Sequence, residues 1–595
     1  MQGGDRVNAE RSSLGCRSAR LCLRMLAATV LVYFCASSAL FAQSPKISDR
    51  LPQNTLFYVQ WRGKSFLGDA DKKNHVLQLL EDPDFEVLRQ AFAKSLLQRQ
   101  QKDGTPTPPV QLPDLISLLD NPGAAGLIAS PTPVTSASPS DPSHLSSVFL
   151  VYDMTGKVDL VKKLKTAAES ASKEKPKITT YEFGGTTIEV SVAGSNAANT
   201  GYSARSGNYF LVASQREVIE DLVTRFRTGS KPLASVTQLP EYQSVLPYIG
   251  SDAAVEYFGR IPDLDKWISP DQKDQPVVKF IRNLHLDKIH VAGGGISFAG
   301  EALHSRGALL GDTSSTSLFD IVGANSATFQ MQQLVGPGPY FSIFRFNFPQ
   351  LYQIIREAAL ATVTAQQAVG LTGAEAMAQG FLGMSITDAL QLFTGEVGSQ
   401  LSYTPDGESQ QLYALAIQKP QDVLKLLRVA VSKIIAAEDT SADTTYLDLS
   451  YPIHDPVSGQ ERRNFYYLAV TPQFVIGGPS KGMVREAVAR VSGKSGVSSM
   501  GLIFSNPDFI RVRALMPDKL IGIGGVDMTQ IPWDKVINRY VQQMQQTEKL
   551  SKQKNASSTE WLQSLKAGMF TRHLRVVVNG WWKDSNGIYF DYYAQ

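Results

Sequence analysis

The sequence predicts an α+β fold made by tandem duplication: two units, each a mainly antiparallel sheet with helices packed on one face. Three observations lead there. Short alternating apolar runs are punctuated by glycine turns, amphipathic helical stretches lie between them, and six segments of one half reappear in the same order in the other. The units span residues 46–311 and 318–595, with Gly311–Ser317 as the boundary.

Residues 1–42 come first and read as a secretory signal peptide, or as an uncleaved N-terminal anchor. Arg6, Arg11, Arg17, Arg20 and Arg24 precede the uncharged stretch Met25–Ala42, and polar Gln43-Ser44-Pro45-Lys46 follows. The expected cut lies between Ala42 and Gln43, with Ala39 the second choice. Met25–Ala42 approaches the roughly 20 residues that cross a bilayer, which is what keeps the anchor reading alive.

Each unit is expected to open on a strand, Thr55–Trp61 or Ser326–Gln333, followed by a helix, Phe85–Gln98 or Phe348–Val363. A small helix and a second strand come next, Ala124–Ala129 or Val397–Tyr403. The helix carrying Val158, Val161 and Leu164 follows another strand. Thr179–Phe183 and Thr186–Val192 form a hairpin about Gly184-Gly185. Val218, Ile219, Leu222, Val223 and Phe226 share one face at 3.6 residues per turn, and Val484, Ala487, Val488 and Val491 repeat that face. Hairpins beginning near Lys288 and Leu574 close the units. Asp103–Pro113, Pro131–Ser143, Ala193–Asn208 and Glu438–Thr445 read as surface excursions. Gln542–Thr559 reads as an insert.

The matched segments define the duplication. LPQNTLFYVQ at Leu51 pairs with VGANSATFQM at Val322, and Asp114 aligns with Asp388. FLVYDMTGKVDLVKKL ending at Leu164 pairs with LYALAIQKPQDVLKLL ending at Leu427. Asn208–Phe226 pairs with the segment from Pro472; LPEY at Leu239 matches NPDF at Asn506, and Trp267 matches Trp533.

The Leu-Pro-x-Asn/Asp-Thr-x-x-Tyr-Val opening at Leu51, together with Leu211-Val212-Ala213-Ser214 before a helix, resembles a family of uncharacterised exported bacterial proteins. The resemblance implies export and assigns no residue roles.

Composition removes several function classes. The chain has 595 residues with 43% apolar and 19% charged residues, enough to fill more than one core. Its formal net charge is +3. Residues 1–42 hold five basic and two acidic residues, so the remainder is formally neutral and offers no excess of cations for nucleic acid. Cys16, Cys22 and Cys35 all lie in that segment, leaving the body without a disulfide or thiolate site.

Candidate chemistry is sparse. His285, His290 and His304 cluster in sequence without the spacing of a metal site, although His290 and His304 are placed to face each other across a hairpin. SGKSG at Ser492 and GGPSKG at Gly477 imitate phosphate loops but lack the required context, and glycine at a helix end explains the first. Gly293-Gly294-Gly295 before Ile296-Ser297 reads as a softened strand at a bend or bulge. Asp252, Glu256, Asp263 and Asp265 show no acid/base pairing, and Glu256 is expected to face solvent between inward Val255 and Tyr257. Trp581, Trp582, Tyr589, Phe590, Tyr592 and Tyr593 form the one notable aromatic concentration. They suit a terminal hairpin with rings on both faces, or a platform for glycan, lipid or an interface.

The expected function is an exported, non-enzymatic envelope protein that works as a binding or interaction module. It would have no catalytic, cofactor or metal residues and no cofactor. Its partner would be an envelope protein or a small apolar or glycan ligand in the periplasm or outside the cell; nucleic acid is not expected. Membrane contact comes only through residues 25–42 if they stay attached. Two alternatives stand beside it: a carrier or chaperone for an apolar envelope molecule, and an envelope hydrolase with an unidentified carboxylate pair.

Overall fold

A computed structural model describes residues 46–102, 114, 117–129, 146–170, 176–192, 200–227, 233–260, 279, 282–298, 300–313, 318–454, 461–493, 502–550 and 564–595. The expected signal segment with Ala42 and Gln43, Asp263, Asp265 and Trp267, and the expected excursions 103–113 and 131–143 lie outside the described residues.

Among the described residues, twenty strands form one sheet in which every pairing is antiparallel. In chain order they begin β1 (Thr55–Trp61), β2 (Gly123–Ala129), β3 (Ser146–Asp153), β4 (Lys177–Phe183), β5 (Thr186–Val192), β6 (Thr200–Ser206) and β7 (Tyr209–Ala213). Next come β8 (Val255–Arg260), β9 (Ile289–Ser297), β10 (Leu303–Gly311), β11 (Tyr340–Arg345), β12 (Phe393–Tyr403) and β13 (Ser409–Ile417). The remainder are β14 (Ile435–Ser441), β15 (Thr444–His454), β16 (Glu461–Val470), β17 (Phe474–Gly478), β18 (Gly522–Asp527), β19 (Val576–Lys583) and β20 (Gly587–Ala594). The central pair is β10–β20. Outward from it the order is β10-β9-β8-β1-β2-β3-β7-β6-β5-β4 on one side. On the other it is β20-β19-β18-β11-β12-β13-β17-β16-β15-β14. Each strand on the second side carries the number of its counterpart plus ten.

Helices cover both faces, correcting the one-face expectation. Val151 and Tyr152 are adjacent on β3 and so point to opposite faces. Val151 joins the core of the helix Arg216–Phe226, whereas Tyr152 packs with Val161 of the helix Val158–Ser170. On β17, Phe474 and Ile476 meet the helix Lys481–Val491, while Val475 belongs with Val423 and Leu424 of the helix Pro420–Ala430. Continuous apolar runs such as Phe149–Tyr152 and Phe474–Ile476 are the marks of strands buried on both sides. The face bearing Arg216–Phe226 is called the back here; its opposite is the front.

The expected amphipathic faces form as read: Val218, Ile219, Leu222, Val223 and Phe226 are buried, as are Val484, Ala487 and Val488. The Gly184-Gly185 hairpin forms with both glycines at positive φ. Three segment readings change. Ser326–Gln333 is no strand: Gln330–Gln333 is a 3-10 turn that buries Met331, and β11 takes the counterpart place to β1. Spacing of three between buried Met331 and Leu334 suits that turn better than the period of two a strand needs. Thr200–Ser206 of one excursion is β6, paired on both sides, and Glu438–Thr445 is the β14–β15 hairpin, whose small and polar residues serve the exposed edge strand β14.

The triple glycine sits in regular pairing rather than at a bulge. A Cβ at Gly293 would lie 2.6 Å from Val245, and one at Gly295 2.1 Å from the Ile249 carbonyl, so glycine lets the helix Pro240–Ile249 lie directly on β9.

Candidate functional site

Glu256 faces the core, not solvent, because the buried phase of β8 is Glu256 and Phe258. Its Oε1 accepts from the Tyr58 and Tyr242 hydroxyls, and its Oε2 from Gln60 Nε2 at 3.0 Å and Lys46 Nζ at 3.2 Å. Burial and the neighbouring carboxylate push both tyrosine hydroxyls well up. Glu396, Asp527 and Asp591 are equally buried on the back face. Glu396 accepts from Arg345 and Met331 N, Asp527 from Asn506, Thr529 and Gln530, and Asp591 from Arg306 and His304. These carboxylates are committed to the fold.

The histidines do not converge. His304 contacts Asp591 and stacks on Tyr593 at 4.2 Å, whereas its cross-hairpin neighbour is Ser297, not His290. His285 sits at φ 55 ahead of a 3-10 turn. No group of three His, Cys, Asp or Glu among the described residues could hold a metal ion. Gly493, at φ 66, follows the last turn of Lys481–Val491, as a helix-terminating glycine does.

A cleft of about 880 Å³ opens at the front between the end of β11 and the start of β12. That is within the range of small-molecule sites. The register shift between Phe393 and Val397, a β-bulge, lies in its wall. Gly395 in the bulge has φ 91, and its carbonyl accepts from Phe346 N at 2.8 Å. A Cβ there would lie 2.0 Å from the Phe346 carbonyl, so this join requires glycine.

Asp388 enters from the helix Ile386–Gln391 and accepts from Ser385 Oγ at 2.6 Å. Asp422 lies in the first turn of Pro420–Ala430. Lys419, immediately before it, has φ 49, a left-handed conformation costly for a residue with a side chain. Lys583 Nζ donates to the Val322 carbonyl at 2.9 Å and the Phe319 carbonyl at 3.3 Å; burial lowers its pKa and nearby Asp320 opposes that.

Rings lead out of the cleft. Phe393, Phe348, Phe346, Phe344, Trp581 and Phe590 follow one another with centroid separations of 6.2, 6.1, 4.8, 6.4 and 5.1 Å. All six are half-buried. Beyond Phe590 the same cross-strand row runs through Gly307, Gly294, Tyr257 and Val59. Tyr257 lies over both glycines: a Cβ at Gly307 would meet its hydroxyl at 2.4 Å and one at Gly294 at 2.2 Å. The next row holds Ser342, Gly524, Asn579, Tyr592 and Ser305, polar groups flanking the rings.

Of the residues singled out in the sequence, the structure brings Trp581, Phe590 and Asp388 to this region. Tyr589 and Tyr593 are buried at the back. Phe344, Phe346, Phe348, Phe393, Lys419, Asp422 and Lys583 were missed. The signal was present in Phe344-Arg345-Phe346-Asn347-Phe348, an alternation that puts three rings on one side of an extended chain.

Comparison with protein-family models, curated proteins and solved structures gives no match.

Proposed function

We propose that this protein is an exported, non-enzymatic envelope module of two homologous units, and that the second unit carries its binding site. The cleft with its emerging row of rings is the observation that carries this reading. The matching strand orders either side of β10–β20 support the duplication, and residues 1–42 together with the family resemblance at Leu51 support export. Commitment of Glu256, Glu396, Asp527 and Asp591 to internal hydrogen bonds supports binding over catalysis.

Among the described residues, the counterpart region of the first unit is held by ion pairs and a covering ring. Asp120 pairs with Lys64 and Lys157, and Asp114 with Lys163. The Trp61 ring covers Gly123 and its Nε1 donates toward the Leu118 carbonyl at 3.4 Å. Gly156, at φ 67, stands where the second unit has Lys419. On this reading one unit is scaffold and the other is receptor.

A carrier for an apolar envelope molecule is the second reading. It is favoured by Val369, Met377 and Phe381, which are 72%, 73% and 65% exposed along the helix Ala365–Leu382 that ends beside the cleft at Met384. A hydrolase would draw on Asp388 and Asp422.

Native mass spectrometry of the protein isolated from its own envelope tests the proposal. A chain beginning at Gln43 marks a released protein, and one retaining Met1 an anchored one. An adduct lost in Asp422→Asn supports binding at the cleft. Recovery of the whole chain from the cytoplasm overturns export, and an adduct unaffected by cleft substitutions overturns the site.

A further inference from the structure

We infer that the exposed helix Ala365–Leu382 is a membrane-docking surface, which lies along one leaflet of a lipid bilayer and dips Val369, Met377 and Phe381 into the acyl chains. The inference goes beyond the binding role of the cleft and needs only that the chain meet a bilayer.

The helix is built inside out. Ala368, Leu371, Glu375, Ala378 and Leu382 recur every three or four residues and form its half-buried side. That side rests on the helices Phe348–Thr362, Ile386–Gln391 and Pro420–Ala430. Glu375 is the one charged residue in 358–387, and it lies on the inner side. There it accepts from the Arg356 guanidinium at 2.7 and 2.9 Å and from the Tyr352 hydroxyl at 2.7 Å. The outer side, an arc of about 120°, holds exposed Val369, Met377 and Phe381 with Gly370, Gly373 and Gly380 between them. Gln366 is the polar residue in that arc, and no charge lies there. A helix that faces water places its charges outward and its apolar stripe inward, the reverse of this arrangement.

The ends and the glycines show that the surface is a finished element. Thr364 and Gln367 cap the start reciprocally, and Gly383 at φ 70 closes the end. Glycine weakens a helix relative to alanine, yet a Cβ at Gly370, Gly373 or Gly380 would meet nothing within 4 Å. No protein neighbour requires those glycines. They leave the three large side chains standing clear of a low backbone surface.

Two observations favour a bilayer over a second copy of the chain. The outward half of the helix offers about ten residues, against the roughly 20–30 a side of a standard stable interface, and it has no charge to fix a register. Outside the described residues, uncharged Met25–Ala42, read as an export signal, brings the chain to a membrane whether or not it stays attached. Among the described residues no helix is long and apolar enough to cross a membrane, so the contact is with one leaflet. Because the surface carries no cations, its attraction does not depend on anionic lipid.

Spin labelling tests this. All three cysteines lie within residues 1–42, so a single cysteine placed in the body takes a nitroxide alone once Cys16, Cys22 and Cys35 are processed away or replaced by serine. The positions are Phe381→Cys and Gly373→Cys on the helix, and Leu515→Cys on the back as the control. With neutral phosphatidylcholine vesicles, the two helix labels are expected to gain collisions with oxygen and lose them with a water-soluble nickel chelate. The Leu515→Cys label is expected not to change, and the shift is expected to persist at about 0.5 M sodium chloride. Val369→Glu with Met377→Glu is expected to weaken vesicle binding at least about tenfold, with circular dichroism checking the fold. Helix labels that stay in water beside vesicles overturn the inference. So does protection that requires anionic lipid and low salt. Spin–spin broadening without lipid marks a second copy as the occupant and overturns it as well. None of these readouts involves the cleft, so the proposed binding role stands or falls separately.

Discussion

Glu256 shows how much one side chain can organise. Its four donors come from β1, from the helix Pro240–Ile249 and from Lys46, so a single carboxylate ties the first described residue to the sheet. Glu256→Ala leaves two hydroxyls, an amide and an ammonium without their acceptor and is expected to cost about 3–5 kcal/mol in urea unfolding; a loss under about 1 kcal/mol would contradict this account. Lys419 is the opposite case, a residue whose backbone is strained where the proposed site lies. Lys419→Gly is expected to raise stability by up to about 1 kcal/mol while weakening ligand binding, a trade visible by comparing thermal melts with titrations. Neither role was legible in the sequence. The alternation in Val255–Phe258 fits either phase when both sets are mostly apolar, and only the tyrosines brought from distant segments make the Glu256 phase the inward one.

Between elements, the clearest junction joins the helix His75–Glu81 to the helix Ala567–His573. Asp82, just past the first helix, receives His573 Nε2 at 2.7 Å and the Arg572 guanidinium at 2.8 Å, with Leu79, Phe85, Met569 and Leu574 packed beneath. Burial alone would raise the Asp82 carboxyl, but those hydrogen bonds outweigh it and hold the pKa at about 2. A carboxyl depressed on folding stabilises fully above its ordinary value of 3.8, and the contribution fades as pH falls toward about 2. Protection of the amides of residues 567–573, corrected for intrinsic exchange, is therefore expected to fall across that acid window before the sheet itself opens, and Asp82→Asn is expected to reduce that pH dependence, the rest coming from Asp84, whose carboxyl Lys566 and Arg572 also hold below its ordinary value. Elements with an apolar stripe or a Gly-Gly turn were readable in advance, since one physical requirement sets each. Ser326–Gln333 was not, because residues packing over a sheet end bury without keeping a period of two. The cleft was illegible for a related reason: its bulge at Gly395 depends on a contact with Phe346, many residues away.

For the whole molecule, the β10–β20 pair is decisive, since it alone makes two sheets into one. Arg306 lies directly opposite Asp591 there, with Nε 3.0 Å from Oδ1, so the pairing joins unlike strands and penalises like ones. Arg306→Asp is expected to destabilise by about 3–5 kcal/mol by leaving Asp591 buried beside a like charge. Adding Asp591→Arg is expected to recover about 1–2 kcal/mol of coupling, measured as a double-mutant cycle; simple additivity would refute the pair's role. The mixed helix and antiparallel sheet was legible in the alternating and helical apolar patterns, but the β10–β20 join was not, because two stretches of sheet can meet by helices, loops or edges. β20 is also the final strand in chain order, yet it occupies the middle of the sheet. During synthesis β10 must therefore wait as a bare edge until Gly587–Ala594 emerge, and any premature stop before Gly587 leaves it exposed. Emergence of β20 and closure of the sheet are one event, so a copy that stops before Gly587 offers an open strand edge to any protease it meets.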